Sequence, residues 1–323
     1  MSGLTRRAAL AAVPALLAAP ATLRAQGAWP NRPVRIVSPF APGGPQDVPG
    51  RFMVDWLQPR LGQPVVYESR AGAGGAVGMQ HVAQANDGHT FLLTSSAVAT
   101  LPAMRRELGF DPQTDLVPVS IVAESAMLIS VRPNGPAGLA EYLARAKANP
   151  GRVSFGSSGT GSTTHLAGAL LAQMAGVELL HVPYRGATVA LNALLAGDVD
   201  SILGDPAIVL EHVRAGSLRG VAVTTPERNP VLPDVPALAE RVPGYAVPLW
   251  FGLLTGRATP TEGIRRLLAE LAPLRSPEGE LSKRLAATGG RLLFSDPEVL
   301  AERLRREIPQ WRQVVQRAGI LPE

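Results

Sequence analysis

The chain repeats one local pattern: a short, mostly apolar run, a loop rich in glycine or hydroxyl residues, then a helical stretch. Apolar runs at 34–37, 65–67 and 91–94 alternate with helical patterns at 52–61 and 79–85. A second series places strands at 153–155, 179–182, 201–203 and 220–224, with helices at 139–148, 163–175, 189–196 and 208–215. Strands this short and apolar are covered on both faces, and their alternation with helices predicts mostly parallel α/β sheets.

Between the two series, 116–131 is strand-rich without helical caps, which suits a crossing from one domain to another. A proline-punctuated stretch at 225–248 suits the return. After 249–254 the chain reads as helices at 261–271, 278–287, 297–308 and 309–318, packed back on the first series. The expected division is an export signal at 1–25, a discontinuous first domain at 27–123 plus 252–323, and a second domain at 124–251. Two α/β domains joined by two crossings can close like a hinge on a ligand between them.

Composition narrows the function. With 46% apolar and 18% charged residues, the 323-residue chain is globular. It has no cysteine, which excludes disulfides and thiolate metal sites. Aromatics are 5% and no basic cluster is interleaved with them, so no nucleic-acid surface is expected. The first 25 residues carry Arg6 and Arg7, an alanine-rich apolar stretch, then small residues, the pattern of an export signal cleaved after Ala25. Removing Arg6, Arg7 and Arg24 takes the net charge from +5 to +2. The arginine pair is compatible with twin-arginine export, although the large apolar residue usual after it is absent.

Four loops lie where strands hand over to helices: SPFAPGGPQDVPGR (38–51), RAGAGGAVG (70–78), TSS (94–96) and GSSGTGSTTH (156–165). Glycine-rich turns ahead of a helix expose backbone N–H groups that bind anions, and ligands of open α/β sheets gather beyond the strands' carboxyl ends. A tight turn with no ligand explains each loop equally well; their convergence favours a site. The stretch 156–165 has Gly159-x-Gly161 but Thr164 in place of a third glycine, and no acid follows the next strand for a ribose, which argues against a nucleotide. No Gly-x-Ser-x-Gly elbow occurs, and the five histidines lack metal-ligand spacing, so neither a metal nor a cofactor is expected. Asp47 and Asp205 read first as helix caps or loop braces, His165 as structural or a ligand contact, and Trp250-Phe251 as core. Arg185 can offer a cation to a carboxylate or simply be solvated.

The ordered motifs PFAPGGPQD (39–47), GQPVVYESRAGAGGAVG (62–78), ANDGHTFLL (85–93), GSSGTGSTTHLAG (156–168), HVPYRG (181–186), LPDVPALAE (232–240) and WFGLL (250–254) closely resemble the Bug family, the periplasmic solute receptors of tripartite tricarboxylate transporters. The likeness runs from about 29 to 320. It implies a type II periplasmic-binding fold of two α/β domains that closes on a small organic carboxylate. Carried over by position, it implies ligand contacts from Phe40, Pro42, Gly43, Gly44, Asp47, Ala76, Ser95 and Ser96 in the first domain. From the second it implies Thr160, Gly161, Ser162, Thr163, Tyr184, Arg185, Gly186 and Asp205. If the Gly161 N–H faces the anion, Gly161→Pro is expected to abolish carboxylate binding.

Departures from the family pattern fall in the first domain. Pro45 stands where Ser or Thr is usual, Pro49 where a helix former is, Ala76 where Asn is common, and 97–99 is apolar. Each removes a donor or acceptor, so a less polar pocket is expected. Proline is tolerated only in a helix's first turn, so regular helix is expected to begin near 46–47 rather than at Gly44. The expectation is a monomeric, periplasmic, non-enzymatic receptor that passes a carboxylate to membrane transporter subunits or a sensor. The alternatives are a secreted serine-type hydrolase or transferase using Ser157 or Ser158 with His165, and a binding fold whose occluded cleft serves another partner.

Overall fold

The computed structural model describes residues 29–322. The expected export signal lies outside the described residues, and among them no helix is long and apolar enough to cross a membrane. The first part of the chain forms β1 (Val34–Ser38), α1 (Asp47–Leu61), β2 (Val65–Ser69), α2 (Ala76–Ala83), β3 (Thr90–Ser95), α3 (Ala97–Met104) and β4 (Leu116–Ser125). The middle forms β5 (Leu128–Val131), α4 (Leu139–Ala148), β6 (Val153–Ser157), α5 (Thr163–Ala175), β7 (Leu179–Pro183), α6 (Ala187–Ala196), β8 (Ser201–Gly204), α7 (Pro206–Arg214) and β9 (Arg219–Val223). The last part forms β10 (Leu249–Gly256), α8 (Thr261–Leu271), α9 (Glu280–Ala286), β11 (Arg291–Leu292) and α10 (Pro297–Arg317).

Two sheets result, ordered β11-β4-β10-β3-β1-β2 and β7-β6-β8-β5-β9. Each has a parallel half, β3-β1-β2 in one and β7-β6-β8 in the other. The remaining pairings are antiparallel, so the sheets are mixed rather than mostly parallel. The reason is topological. β5 and β10 each enter a sheet directly from the other sheet, without the crossover helix that a parallel neighbour needs. Sheet membership puts the passages between Ser125 and Leu128 and between Val223 and Leu249.

Thr224 ties the two passages together. Its N–H donates to Met127 O at 2.9 Å, its Oγ1 accepts the Met127 N–H at 2.9 Å, and its carbonyl accepts the Val247 N–H at 2.9 Å. Thr224 is fully buried. Every polar atom it brings is therefore bonded, as burial demands.

The prolines of the first loop sit as the helix-start argument requires. Gln46 is the N-cap of α1, Asp47 its first residue and Pro49 its third, where a missing N–H costs nothing. Two helices depart from expectation, and the short strand β11 was not anticipated. Residues 97–104 form α3, which is buried almost all round and so has no amphipathic signature. The segments 297–308 and 309–318 form the single helix α10, with Pro309 inside it. Leu300, Leu304, Ile308, Trp311 and Val315 continue one buried stripe across the proline, and packing on α3 and β4 offsets the lost hydrogen bond.

The cores are close-packed around Phe91, Leu93, Met53 and Trp250 under the first sheet and Phe155, Leu166, Tyr142 and Tyr245 under the second. Two buried aromatic tips find partners: Trp250 Nε1 donates to Glu307 Oε2 at 3.0 Å and the Tyr245 hydroxyl to Ala167 O at 2.8 Å. Gly168, inside α5, lets that helix lie flat on β6, because a Cβ there would run into the Phe155 ring. Gly168→Ala should therefore lower stability by about 1–3 kcal/mol despite its better helix propensity, read by urea unfolding.

Candidate functional site

All four glycine- and hydroxyl-rich loops meet between the two sheets. The loop after β1 is braced internally. Asp47 Oδ2 accepts the Gly43 N–H at 2.6 Å, and Asp47 Oδ1 accepts from the Tyr67 hydroxyl at 2.8 Å. Gln46 Nε2 donates to Ser38 Oγ at 3.2 Å, and the Ser69 hydroxyl donates to Phe40 O. Burial and the neighbouring Asp47 carboxylate push the Tyr67 phenol well above its usual range, so it remains a donor at any physiological pH.

The facing loop of the second half is equally self-bonded. Ser162 caps α5, accepting from the His165 N–H at 3.3 Å. Thr164 Oγ1 accepts the Ser158 N–H at 2.9 Å and lies 3.0 Å from both the Ser158 and Ser162 hydroxyls. The Gly161 N–H donates to His165 Nδ1 at 3.2 Å. It is thus spent inside the loop and does not face an anion.

Among the described residues, three polar contacts join the facing loops of the two halves. Ser96 and Thr163 hydroxyls lie 2.7 Å apart, Thr100 Oγ1 donates to Gly161 O at 2.6 Å, and Thr188 Oγ1 donates to Gly43 O at 2.9 Å. A fourth approach needs a missing side chain: Gly74, at φ +67°, would put a Cβ 2.7 Å from Thr160 O.

A cavity of about 70 Å³ remains between these contacts. Phe40, Pro42, Gly44 and Ser95 wall it from the first half, and Thr163, Arg185, Gly186 and Asp205 from the second. Sequence reasoning missed Ala41, Gln46, Thr164, Ala187, Thr188, Val189, Leu249 and Phe251, which complete the wall with Pro45, expected to make the pocket less polar, and Ser158, expected only in the hydrolase alternative. Several adjoin residues that were anticipated, and the first turn of α6 was the available signal for three of them. Phe251, expected in the core, reaches the wall because β10 brings it beside Ser95.

Other anticipated residues stand behind the wall. Gly43 and Asp47 hold the first loop, Ser96 bonds Thr163, and Thr160, Gly161 and Ser162 shape the turn before α5. Ala76 is buried in the first turn of α2. Tyr184 lines an adjoining groove of about 510 Å³ with Phe40, Arg185 and the 71–75 turn.

The cavity is electrostatically biased without much formal charge. The first turns of α5 and α6 border it, and α6 has no side-chain cap. Uncapped N–H groups and the helix dipole favour an anion. Arg185 is exposed at the rim and has no ion pair or hydrogen bond among the described residues. Asp205, 4% exposed, caps α7 by accepting the Ala207 N–H at 2.7 Å on Oδ1. Burial pushes its carboxyl up to about 6, against the pull of the Ala207 amide and the Ser125 hydroxyl.

A histidine pair underlies the second loop. The His165 and His181 rings stack at 3.7 Å, and His181 Nε2 lies 2.6 Å from Ser157 Oγ. The serine–histidine alternative is thereby altered, because His165 engages Gly161 instead of Ser157 or Ser158. Ser157 Oγ is buried and further tied to the Gly159 N–H at 3.2 Å. Burial lowers His165 to about 4. Burial and the adjacent His165 lower His181 to about 3. Among the described residues no group of three potential ligands is placed to hold a metal.

Residues 50–319 match the model of the tripartite tricarboxylate transporter family receptor, TctC. The chain belongs to this family. BugT of Bordetella pertussis is 33% identical over 296 residues, covering 90% of each chain. The periplasmic binding protein BugD superposes with TM-score 0.84 at 32% identity, covering 91% of this chain and all of that one. A Rhodopseudomonas palustris protein solved with adipate gives 0.85 at 32% identity, covering 91% and 100%. MatC from the same species, with bound malate, gives 0.82 at 30% identity, covering 89% and 100%. The fold is thus the two-domain periplasmic-binding type, and the family is one of binding receptors rather than enzymes.

Two outcomes follow from this geometry. Thr100→Val keeps the shape but removes a bond that exists only with the halves together. It should weaken ligand affinity by roughly threefold to tenfold with little change in the unfolding midpoint of the ligand-free protein. Calorimetry and urea unfolding separate the two effects. The neutral histidines make stability complete above pH about 6.5 and progressively lost as pH falls toward about 4, since the unfolded chain takes up those protons first. NMR titration of the two imidazoles and the pH dependence of the melting temperature check this, and His181→Phe should flatten the acid limb.

Proposed function

We propose that this protein is a periplasmic solute receptor that captures a small organic carboxylate by hinge closure and delivers it to a tripartite tricarboxylate-type membrane transporter or a sensor. The observation that carries the reading is a cavity walled by both halves, bordered by the first turns of α5 and α6 and by the unpaired Arg185. Adipate and malate, named with two similar structures, are small carboxylates, which supports this ligand class.

The moving bodies are the two α/β units anticipated from the sequence, with their limits drawn to the ends of β4 and β10. The passages bonded at Thr224 serve as the hinge. A ligand touching both walls stabilises only the closed form, because those contacts do not exist when the halves separate. Family membership supports export, a periplasmic location and a transporter partner. The protein works as a monomer in this reading, with no nucleic acid and no cofactor.

Within the site, Phe40, Pro42, Gly44, Ser95, Thr163, Arg185, Gly186 and Asp205 touch the ligand, while Asp47, Ser96, Gly161 and Ser162 hold the loops in place. Phe40, Ala41, Pro42, Pro45, Val189, Leu249 and Phe251 make most of the wall apolar, in keeping with the lost hydroxyl at position 45. Mass spectrometry of ligand released from protein purified under native conditions should show a small carboxylate. Thermal-shift screening should raise the melting temperature with that compound. Arg185→Gln should weaken its binding roughly tenfold. A carboxylate library that stabilises nothing, with no ligand released, would sink the receptor reading in favour of an occluded cleft.

A further inference from the structure

A groove of about 430 Å³ lies apart from the cavity between the loops and shares no wall residue with it. α5 and β7 line one side, and Arg317, Ala318 and Ile320 at the end of α10 line the other. Its walls therefore belong to different halves. α10 packs on α3 and β4 of the first half and also reaches α5 of the second.

His165 and His181 both line this groove. Their rings lie 3.7 Å apart and within 13° of parallel. Each aims one nitrogen at the 157–161 turn: His165 Nδ1 accepts the Gly161 N–H at 3.2 Å, and His181 Nε2 lies 2.6 Å from Ser157 Oγ. Parallel rings with those nitrogens on the turn side hold the other two, His165 Nε2 and His181 Nδ1, away from it. Neither has a hydrogen-bond partner among the described residues, and neither is sealed from solvent.

The tautomer of His165 follows from its bond. With Nδ1 accepting, the single proton of the neutral ring sits on Nε2, which is therefore a fixed donor. Burial keeps both rings neutral near pH 7. Phe155, Val177, Leu179, Leu180 and Ile320 make most of the wall apolar, while Glu178 and Arg317 bring one charge of each sign. Holding the turn in shape accounts for the two bonded nitrogens. It does not account for an N–H donor opening onto a concave apolar wall, which is how small-molecule sites are built.

We propose that this groove is a second, regulatory site for a small apolar molecule carrying an acceptor oxygen, a carboxylate or a carbonyl, which accepts from His165 Nε2–H. An acceptor on Nε2–H makes Nδ1 a stronger acceptor for the Gly161 N–H, because hydrogen bonds in a chain polarise one another. Gly161 O in turn accepts from Thr100 Oγ1 at 2.6 Å across the halves. The occupant thus stiffens the turn that joins the halves, and it touches both of them itself. Both effects favour the arrangement in which the halves are together. The site goes beyond the receptor reading, and its failure would leave that reading standing.

NMR of the histidine ring nitrogens and of the Gly161 amide tests the proposal, with benzoate and acetophenone as probes and toluene as the acceptor-free control. At least one of the two probes should move the His165 Nε2 resonance, saturating with a Kd of about 1 mM or below. The same probe should slow exchange of the Gly161 amide about threefold or more, and toluene should bind about threefold or more weakly. A response to benzoate alone assigns a carboxylate, and a response to acetophenone assigns a carbonyl. Ala172→Trp fills the groove from α5 without touching the histidines or the turn, and should abolish the response. Leu180→Asp, at an exposed position, should weaken it about threefold. Arg185→Gln, in the other cavity, should leave it unchanged. Ring nitrogens unmoved by both probes, toluene binding as well as they do, or a response lost with Arg185→Gln but kept in Ala172→Trp would each overturn the inference.

Discussion

The arrangement depends on Thr224 holding two chain passages side by side. With its N–H, hydroxyl and carbonyl bonded to Met127 and Val247, the strand that enters the second sheet and the segment that leaves it form one joint. In the proposed reading both passages share that joint, and the two sheets change their mutual angle about it. A pair of linkers bonded in this way confines motion to a hinge, and a hinge turns two loop-bearing sheet ends into a jaw.

What the jaw presents follows from the handedness and direction of α/β units. Helices after parallel strands start at the strands' carboxyl ends, so the two sheets face each other with helix N-termini. That geometry draws anions without lining the cavity with many basic side chains, which fits a family with adipate- and malate-bound members. The loops' own hydroxyls and amides are largely consumed in holding shape: Asp47 on Gly43, Thr164 on Ser158, His165 on Gly161. A preorganised wall of this kind limits the ordering entropy that binding would otherwise cost.

Much of this was legible before any coordinates. Alternating apolar runs placed nearly every strand and helix, and the loop motifs carried the family. The start of α1 could be placed from Pro49 alone, because proline's missing N–H is harmless only in a first turn. Failures were equally physical. α3 has no polar face to set a period, and α10 is held across Pro309 by packing on distant elements. The antiparallel entry of β5 and β10 is a property of how two sheets share one chain, which no local pattern records. Phe251 reads as core in any window of sequence and reaches the cavity only because β10 pairs with β3.

The sequence by itself determined the class of fold, the family, and the loops at which a ligand is met, since these depend on local periodicity and on short motifs. Only the tertiary structure decided which residues of those loops face inward. Asp47 and Asp205 look alike in the chain, each an acid at a helix start. One is locked between an amide and a phenol, while the other caps α7 and walls the cavity. That difference is set by neighbours from other strands, Tyr67 for the first and the crowded end of the second sheet for Asp205, and contacts between distant segments leave no trace in local sequence.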